Sequence, residues 1–405
     1  MLRRNTLAVK ILFVLVVPLF ICFSNYDIQA QTGVTKDEIL VGFFGALSGG
    51  GADYGIAVKN GAKMYFDAVN SAGGIHGRQI KVIWEDSGCS PAGAIGAVKK
   101  LIHRDKVFCI FGGICSSATI ATIPFINKAK IPIYVAMACT DSIFKPFNKY
   151  VFRSNVSEAY QPAVMTDFAM SRFKPKRVAV MYQPDDFGHN GRDGVIKTLK
   201  DYGLEPVAME ICKMRDTDFS SQVLSVKKAK AQAVLLFTYT KPTAIIVRQA
   251  YELGLDTQFI SSLGGCSPMV IDIAGEKAIR GRYASITGII DIIEGPRLAH
   301  FLEDYKKKYP EHSKRPGIPG MYDVEGYGSA RLFVEGLWRA GRDLNHDNLI
   351  KGLESIHNFY TGALSRVTFS PTNHDGLDGA NFWIVNSEGK REYIETYYSW
   401  VDKPK

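Results

Sequence analysis

Short β-branched and aromatic runs alternate with longer amphipathic stretches along most of this chain. That alternation narrows its possible folds more than any other feature. The strand-like runs cover residues 39–46, 80–84, 107–111, 131–136, 178–182, 233–238 and 258–262. Helical spacing of apolar residues fills the intervals at 54–72, 91–103, 117–129, 158–172, 192–202, 219–228 and 243–253. Ser90 followed by Pro91 reads as an N-cap with proline at the first helical position. Gly73-Gly74, Gly203 and Gly254 stand where helices should end. Strand–helix–strand units turn right-handed and give a parallel sheet with helices on both faces. About ten such units exceed one sheet of usual size. The expected class is therefore α/β, with two doubly wound lobes built on a central parallel sheet each.

The carboxyl-terminal third departs from this rhythm. Long helical patterns cover 294–309 and 322–340, and short strand-like runs at 366–369, 381–386 and 393–398 are separated by turn-rich breaks. A length of 405 residues fits two to three domains, and 46% apolar with 22% charged residues excludes disorder, collagen or coiled coil for the whole.

At the amino terminus Arg3, Arg4 and Lys10 precede an apolar run over 11–23. A bilayer crossing needs about 20 apolar residues. The short run behind a basic stretch reads as a secretory signal peptide over 1–30, cleaved after Ala30. An uncleaved anchor and a lipoprotein at Cys22 are the alternatives, the latter disfavoured by the bulky Phe20 and Ile21 before it. The excess charge of +9 drops to +7 without Arg3, Arg4, Lys10 and Asp27. Lys227-Lys228 and Lys306-Lys307-Lys308 end amphipathic helices and read as solvated faces, so no nucleic-acid partner is expected. Six cysteines remain after Cys22: Cys89, Cys109, Cys115, Cys139, Cys212 and Cys266. Their even number allows disulfides in an oxidising compartment, and the sequence does not choose among the pairings. No Cys-x-x-Cys or His-x3-His spacing exists, so no metal site is expected.

Linear signatures of catalysis are missing. No P-loop, Gly-x-Gly-x-x-Gly, Gly-x-Ser-x-Gly or His-Glu-x-x-His is found. Ser225-Val226-Lys227-Lys228 matches Ser-x-x-Lys but falls on a polar helical stretch, where chance explains it. The reading is a non-enzyme without a cofactor.

Four segments, taken in order, carry a family resemblance. The first is Leu47-Ser48-Gly49-Gly50-Gly51-Ala52-Asp53-Tyr54-Gly55 with Asn60-Gly61-Ala62. The second is Asn70-Ser71-Ala72-Gly73-Gly74-Ile75-His76-Gly77-Arg78, leading to Glu85-Asp86-Ser87-Gly88-Cys89-Ser90-Pro91. The third is Phe111-Gly112-Gly113-Ile114-Cys115-Ser116-Ser117-Ala118-Thr119, and the fourth Gln183-Pro184-Asp185-Asp186-Phe187-Gly188. Over residues 36–390 or so the chain resembles the solute-binding proteins of branched-chain amino-acid (Leu/Ile/Val-type) ABC importers, of type I periplasmic-binding-protein fold. The resemblance implies two lobes joined by three crossovers near 152–155, 283–287 and 366–371, closing on a ligand. Residues 31–154 plus 284–366 would form the first lobe and 155–283 plus 367–401 the second. It also implies a Cys89–Cys115 disulfide.

Ligands of open α/β sheets sit beyond the carboxyl ends of the strands. At 114–119 a strand, Gly-Gly and the first turn of a helix supply free N–H groups, with a hydroxyl from Ser116, which suit a carboxylate. The resemblance agrees, since the family uses the serine after this cysteine. Plain capping by Ser116 is the rival reading. Tyr54, Phe187 and Tyr239 follow strand ends and would cover the ligand; packing alone is the rival for each. Two departures matter. Where the family has a Ser/Ala-Ala-Thr-like stretch, this chain has Met137-Ala138-Cys139-Thr140, with Cys139 on the threonine position. Where the family's amino-acid binders place an acid after the strand at 258–262, Leu263-Gly264-Gly265 stands. An unpaired buried ammonium is costly. The expected ligand is therefore a small hydrophobic or aromatic carboxylate held by Tyr54, Ser116, Ser117, Ala138, Cys139, Thr140, Phe187, Tyr239 and Leu263. Asp141, Glu158 or Asp185 could supply the missing acid, which leaves an amino-acid-like ligand, or a branched-chain amino-acid binder proper, as alternatives. The expected role is a monomeric periplasmic receptor delivering solute to an inner-membrane ABC permease. A soluble sensor feeding a signalling partner is the rival.

Overall fold

The computed structural model describes residues 31–143, 145–288, 299–314, 320–377 and 379–399. The signal peptide read at 1–30 lies outside the described residues. The first sheet holds β1 (Glu38–Gly45), β2 (Gln79–Asp86), β3 (Cys109–Gly112), β4 (Ile133–Val135) and β5 (Val151–Arg153). Its order is β2-β1-β3-β4-β5 and every pair is parallel. Helices α1 (Ala52–Ser71), α2 (Pro91–Lys99), α3 (Ser116–Ile120) and α4 (Ile123–Ala129) connect the strands. Ser90 caps α2 as read from sequence, its hydroxyl accepting from the Gly93 N–H at 3.2 Å. The single helix expected over 117–129 is broken in two. Pro124 opens α4 and has no N–H to offer the Ile120 carbonyl.

The chain then builds α5 (Gln161–Arg172), β6 (Val178–Tyr182), α6 (Asp186–Asp201), β7 (Ala208–Ile211), α7 (Ser220–Lys228), β8 (Ala233–Phe237), α8 (Thr240–Glu252), β9 (Gln258–Ser261), α9 (Met269–Ala274), α10 (Glu276–Ile279) and β10 (Tyr283–Thr287). After these come α11 (Ala299–Lys308), α12 (Met321–Ala340), α13 (His346–Glu354) and the hairpin β11 (Gly379–Val385) and β12 (Arg391–Ser399). The second sheet runs β12-β11-β10-β9-β8-β6-β7. Its part from β6 to β10 is parallel, with the order of the first sheet repeated: 7-6-8-9-10 against 2-1-3-4-5. β11 and β12 add antiparallel strands to this parallel centre, so the sheet as a whole is mixed. β8 is apolar and buried along its whole length, as helices on both faces require.

Two further expectations change. Residues 283–287 form β10, an inner strand of the second sheet. Residues 284–287 thus belong to the second lobe, and the second passage between lobes falls after Thr287. Residues 366–369 make only one bridge, Val367 to Phe359, in place of a strand. The three passages lie side by side. Arg153 N–H donates to the His374 carbonyl at 2.9 Å, Gly376 N–H to the Arg153 carbonyl at 2.8 Å, and Ser365 N–H to the Gly288 carbonyl at 3.0 Å.

α12 returns to the first lobe and packs on α1. Gly61 of α1 meets the Asp323 backbone, and Gly326 of α12 meets that of Val58; a Cβ on either would come within 1.9 and 2.3 Å of the opposing carbonyl oxygen. Glycine at both positions allows the backbones to approach. Among the described residues no helix is long and apolar enough to cross a membrane.

Candidate functional site

The carboxyl ends of the parallel strands in the two sheets face one seam, where Tyr54 of the first lobe meets Thr240 of the second. On the first lobe, Asp86 at the end of β2 shapes the loop after β1. Its Oδ1 accepts from the N–H groups of Leu47 at 2.8 Å, Ser48 at 3.2 Å and Gly88 at 2.8 Å. Partial burial works against its charge, yet these bonds hold its carboxyl below the usual range. Cys89 and Cys115 are joined by a disulfide, with Cα atoms 5.6 Å apart, tying the loop after β2 to the start of α3. Cys109, Cys139, Cys212 and Cys266 are buried free thiols. Cys139 and Cys266 do not meet: the first thiol points to Glu158 Oε1 at 3.6 Å and the second to the Tyr322 hydroxyl at 3.6 Å.

The loop so fixed launches α1, and its first turn carries Tyr54 across to the second lobe. The Tyr54 hydroxyl accepts the Thr240 N–H at 2.8 Å and donates to the Gly264 carbonyl at 3.4 Å. Its ring lies 5.6 Å from that of Tyr239 and meets Tyr322 edge-on at 4.8 Å. Phe187 also stacks on Tyr239, with ring centroids 5.4 Å apart. Asp185 caps α6 by accepting the Gly188 N–H at 2.9 Å and also receives the Tyr239 hydroxyl at 3.5 Å.

Ser116, Ala138, Cys139, Thr140, Phe187 and Leu263 are all buried in the seam, and Ser117 is half-buried. Ser117 Oγ reaches Asp186 Oδ2 of the second lobe at 3.1 Å. Ala138 N–H donates to the Gly113 carbonyl at 2.9 Å. Thr140 Oγ1 accepts from Asn190 Nδ2 of α6 at 2.9 Å, and the same amide reaches Glu158 Oε2 at 3.0 Å. Burial pushes the Glu158 carboxyl up to about 7, against the opposing pull of Asn190, Thr140 and Arg153. Arg153 is fully buried and forks onto Asp375 at 3.1 and 2.9 Å, with Thr140 O accepting a third bond at 3.2 Å. Leu263 N–H donates to Gln161 Oε1 at 3.2 Å, while its carbonyl accepts the Tyr322 hydroxyl at 2.7 Å.

Beside Tyr54 the seam opens into a cavity of about 310 Å³. Tyr54 and Tyr239 line it, with Ala57, Met269 and Tyr322 among its apolar walls and the exposed Arg215 and Lys241 on its rim. Of the ligand contacts expected from sequence, these two tyrosines are the ones that border the cavity; the others lie in the closed part of the seam. Tyr322 was not foreseen. It stands in the first turn of a long amphipathic pattern, and nothing in that pattern marks it. Among the described residues no cluster of metal-ligating side chains occurs.

Residues 38–390 match the periplasmic binding protein family. A leucine-, isoleucine-, valine-, threonine- and alanine-binding protein of Pseudomonas aeruginosa is 26% identical over 79% of this chain and 81% of its own length. The branched-chain amino acid transporter substrate binding protein of Streptococcus pneumoniae, solved with isoleucine, superposes with a TM-score of 0.75 at 25% identity, covering 88% of this chain and 99% of that one. A fatty acid ABC transporter substrate-binding protein from Thermomonospora curvata superposes with a TM-score of 0.78 at 22% identity, covering 91% and 94%.

Proposed function

From the premise that the chain belongs to the periplasmic binding protein family, and is a binding protein and not an enzyme, we propose that it captures a small apolar or aromatic carboxylate, amino-acid-like ones included, between its lobes. It hands the ligand to an ABC permease from the periplasm, after removal of residues 1–30. The observation that carries this reading is the Tyr54 hydroxyl, which reaches from the first lobe to the Thr240 N–H of the second at the wall of a 310 Å³ cavity. A contact of this kind forms when two lobes close, and a ligand that touches both lobes biases that equilibrium. The three adjacent passages at 153, 288 and 365–376 are the hinge. Ser116 and Ser117 and the N–H groups around them bind the carboxylate. α3 is a short helix, so the hydroxyls and individual N–H groups act here more than a helix dipole does. Tyr54, Phe187 and Tyr239 cover the apolar part, with Ala138, Cys139, Thr140 and Leu263 closing the inner wall.

Native mass spectrometry of the freshly purified protein, followed by calorimetry with the compound released, tests the reading. A co-purified carboxylate of modest size, and a smaller radius of gyration by X-ray scattering once it is restored, are the expected results. A panel of apolar and aromatic carboxylates and amino acids that shifts neither melting temperature nor scattering would sink it.

A further inference from the structure

The cavity of about 310 Å³ beside Tyr54 is distinct from the seat at Ser116. None of the residues at 116–117, 138–140, 187 and 263 borders it, so a molecule held there is not held by the Ser116 hydroxyl. Its volume falls at the lower end of ligand pockets, about 300–1,000 Å³. Both lobes build it. Tyr54 and Ala57, one turn apart on α1, line it from the first lobe together with Tyr322 of α12. Met214, Met269 and Ile273 line it from the second, the last two one turn apart on α9. This wall is largely apolar, and methionines mould themselves to an irregular apolar body.

The charged groups on the wall are unevenly engaged. Asp323 accepts the Gly320 N–H at 2.7 Å and the Tyr305 hydroxyl, and Asp53 also has a partner. His312 Nδ1 meets the same Tyr305 hydroxyl at 2.8 Å. Arg215, in the loop between β7 and α7, and Lys241, in the first turn of α8, are exposed and form no ion pair among the described residues. The cavity thus joins an apolar body shared by the two lobes to a cationic rim carried by the second.

We propose that this cavity is a second binding site, for an amphiphilic anion. Its alkyl chain of medium length lies between Ala57, Tyr322, Met269 and Ile273, and its anionic head meets Arg215 and Lys241. The site goes beyond the seat at Ser116 and rests only on the closure of the lobes proposed above. A rim position suits the head, because a charge taken fully out of water is costly and one at the rim keeps part of its hydration. An occupant that touches both lobes favours the closed arrangement by itself.

Titration calorimetry on the full chain with sodium octanoate and 1-octanol, probes of one chain length that differ in charge, tests this. Octanoate should bind the wild type. In R215Q/K241Q its dissociation constant should rise about 10-fold, the scale of two exposed charge pairs, while that of octanol moves by less than about 2-fold. Raising sodium chloride from about 50 to about 500 mM should weaken octanoate binding to the wild type and not to the double variant. I273W puts an indole into the cavity and should weaken both probes. Octanoate that binds R215Q/K241Q as tightly as the wild type would overturn the proposal. So would equal losses for both probes in that variant, full affinity in I273W, or an octanoate affinity in the wild type that salt does not move. Octanoate that fails to bind the wild type overturns it too, and leaves the solute-binding reading standing where a compact carboxylate such as 3-phenylpropanoate binds. Failure of every carboxylate counts against both readings. The salt dependence in the wild type needs no variant, so it decides even where a variant does not fold.

Discussion

The Tyr54 hydroxyl accepts the backbone N–H of Thr240 at 2.8 Å, joining the first turn of α1 to the first turn of α8 across the seam. Both groups are buried there, and the phenol is pushed above its ordinary range by burial. Tyr54→Phe keeps the ring contacts with Tyr239 and Tyr322 and leaves the Thr240 N–H without that acceptor. Losing such a bond costs about 1–2 kcal/mol of closure. X-ray scattering of the ligand-free variant should show a larger radius of gyration than the wild type at the same melting temperature. An unchanged scattering profile would count against Tyr54 as a closing contact.

The Cys89–Cys115 disulfide closes a loop across 26 positions of sequence. Restricting the unfolded chain to that loop is worth about 3.5 kcal/mol. Replacing both cysteines with alanine should lower the unfolding free energy in urea by that order. The four other thiols are buried and should resist iodoacetamide until the protein unfolds. Rapid alkylation of Cys139 or Cys266 in the native protein would show that the seam opens further than a closed pocket implies.

Glu158 gives the protein a pH dependence of definite sign. Its folded-state carboxyl is raised from 4.5 to about 7, so the folded chain holds the proton more tightly than the unfolded one. The stability this confers is complete below about pH 4.5 and is lost as pH rises through 7, amounting to about 3 kcal/mol. Glu158→Gln removes the ionisation while keeping a partner for Asn190. Between pH 5 and 8 the melting temperature of the variant should fall less than that of the wild type. Parallel curves would mean that Glu158 does not titrate in this range.

Arg153 is fully buried and forks onto Asp375. Arg153→Met strands the Asp375 carboxylate, which burial already pushes upward. Breaking a buried pair from one side costs about 3–5 kcal/mol. Urea unfolding should register that loss, and the paired change R153M with D375L should recover most of it. No recovery in the double variant would place the effect elsewhere, for instance in the bond from Arg153 to the Thr140 carbonyl.

Much of the α/β framework was readable because it is local. β-Branched runs such as Val178–Tyr182, the Ser90-Pro91 cap and the glycines after helices act within a few residues of themselves. β5 and β10 fall where crossovers are expected, because short runs beside a passage look the same whether they pair or pass. The candidate site was less legible. Tyr54 could be placed by its glycine-rich loop, but Tyr322 reaches the seam from a helix whose pattern signals only burial. The disulfide came from resemblance alone, since cysteine spacing leaves many pairings open. The merging of Thr140, Glu158 and Asn190 into one hydrogen-bonded group has no linear trace, because it gathers residues from separate elements.

The packing of α12 on α1 fixes the order in which this chain can finish folding. α1 is among the first elements made and α12 among the last, with the whole parallel part of the second sheet between them. The glycine-lined contact of Gly61 and Gly326 therefore cannot form until most of the chain is available. Contacts of such long sequence separation slow folding. A nascent first lobe therefore stays incomplete until α12 has been made, so the two lobes finish folding together and not one after the other.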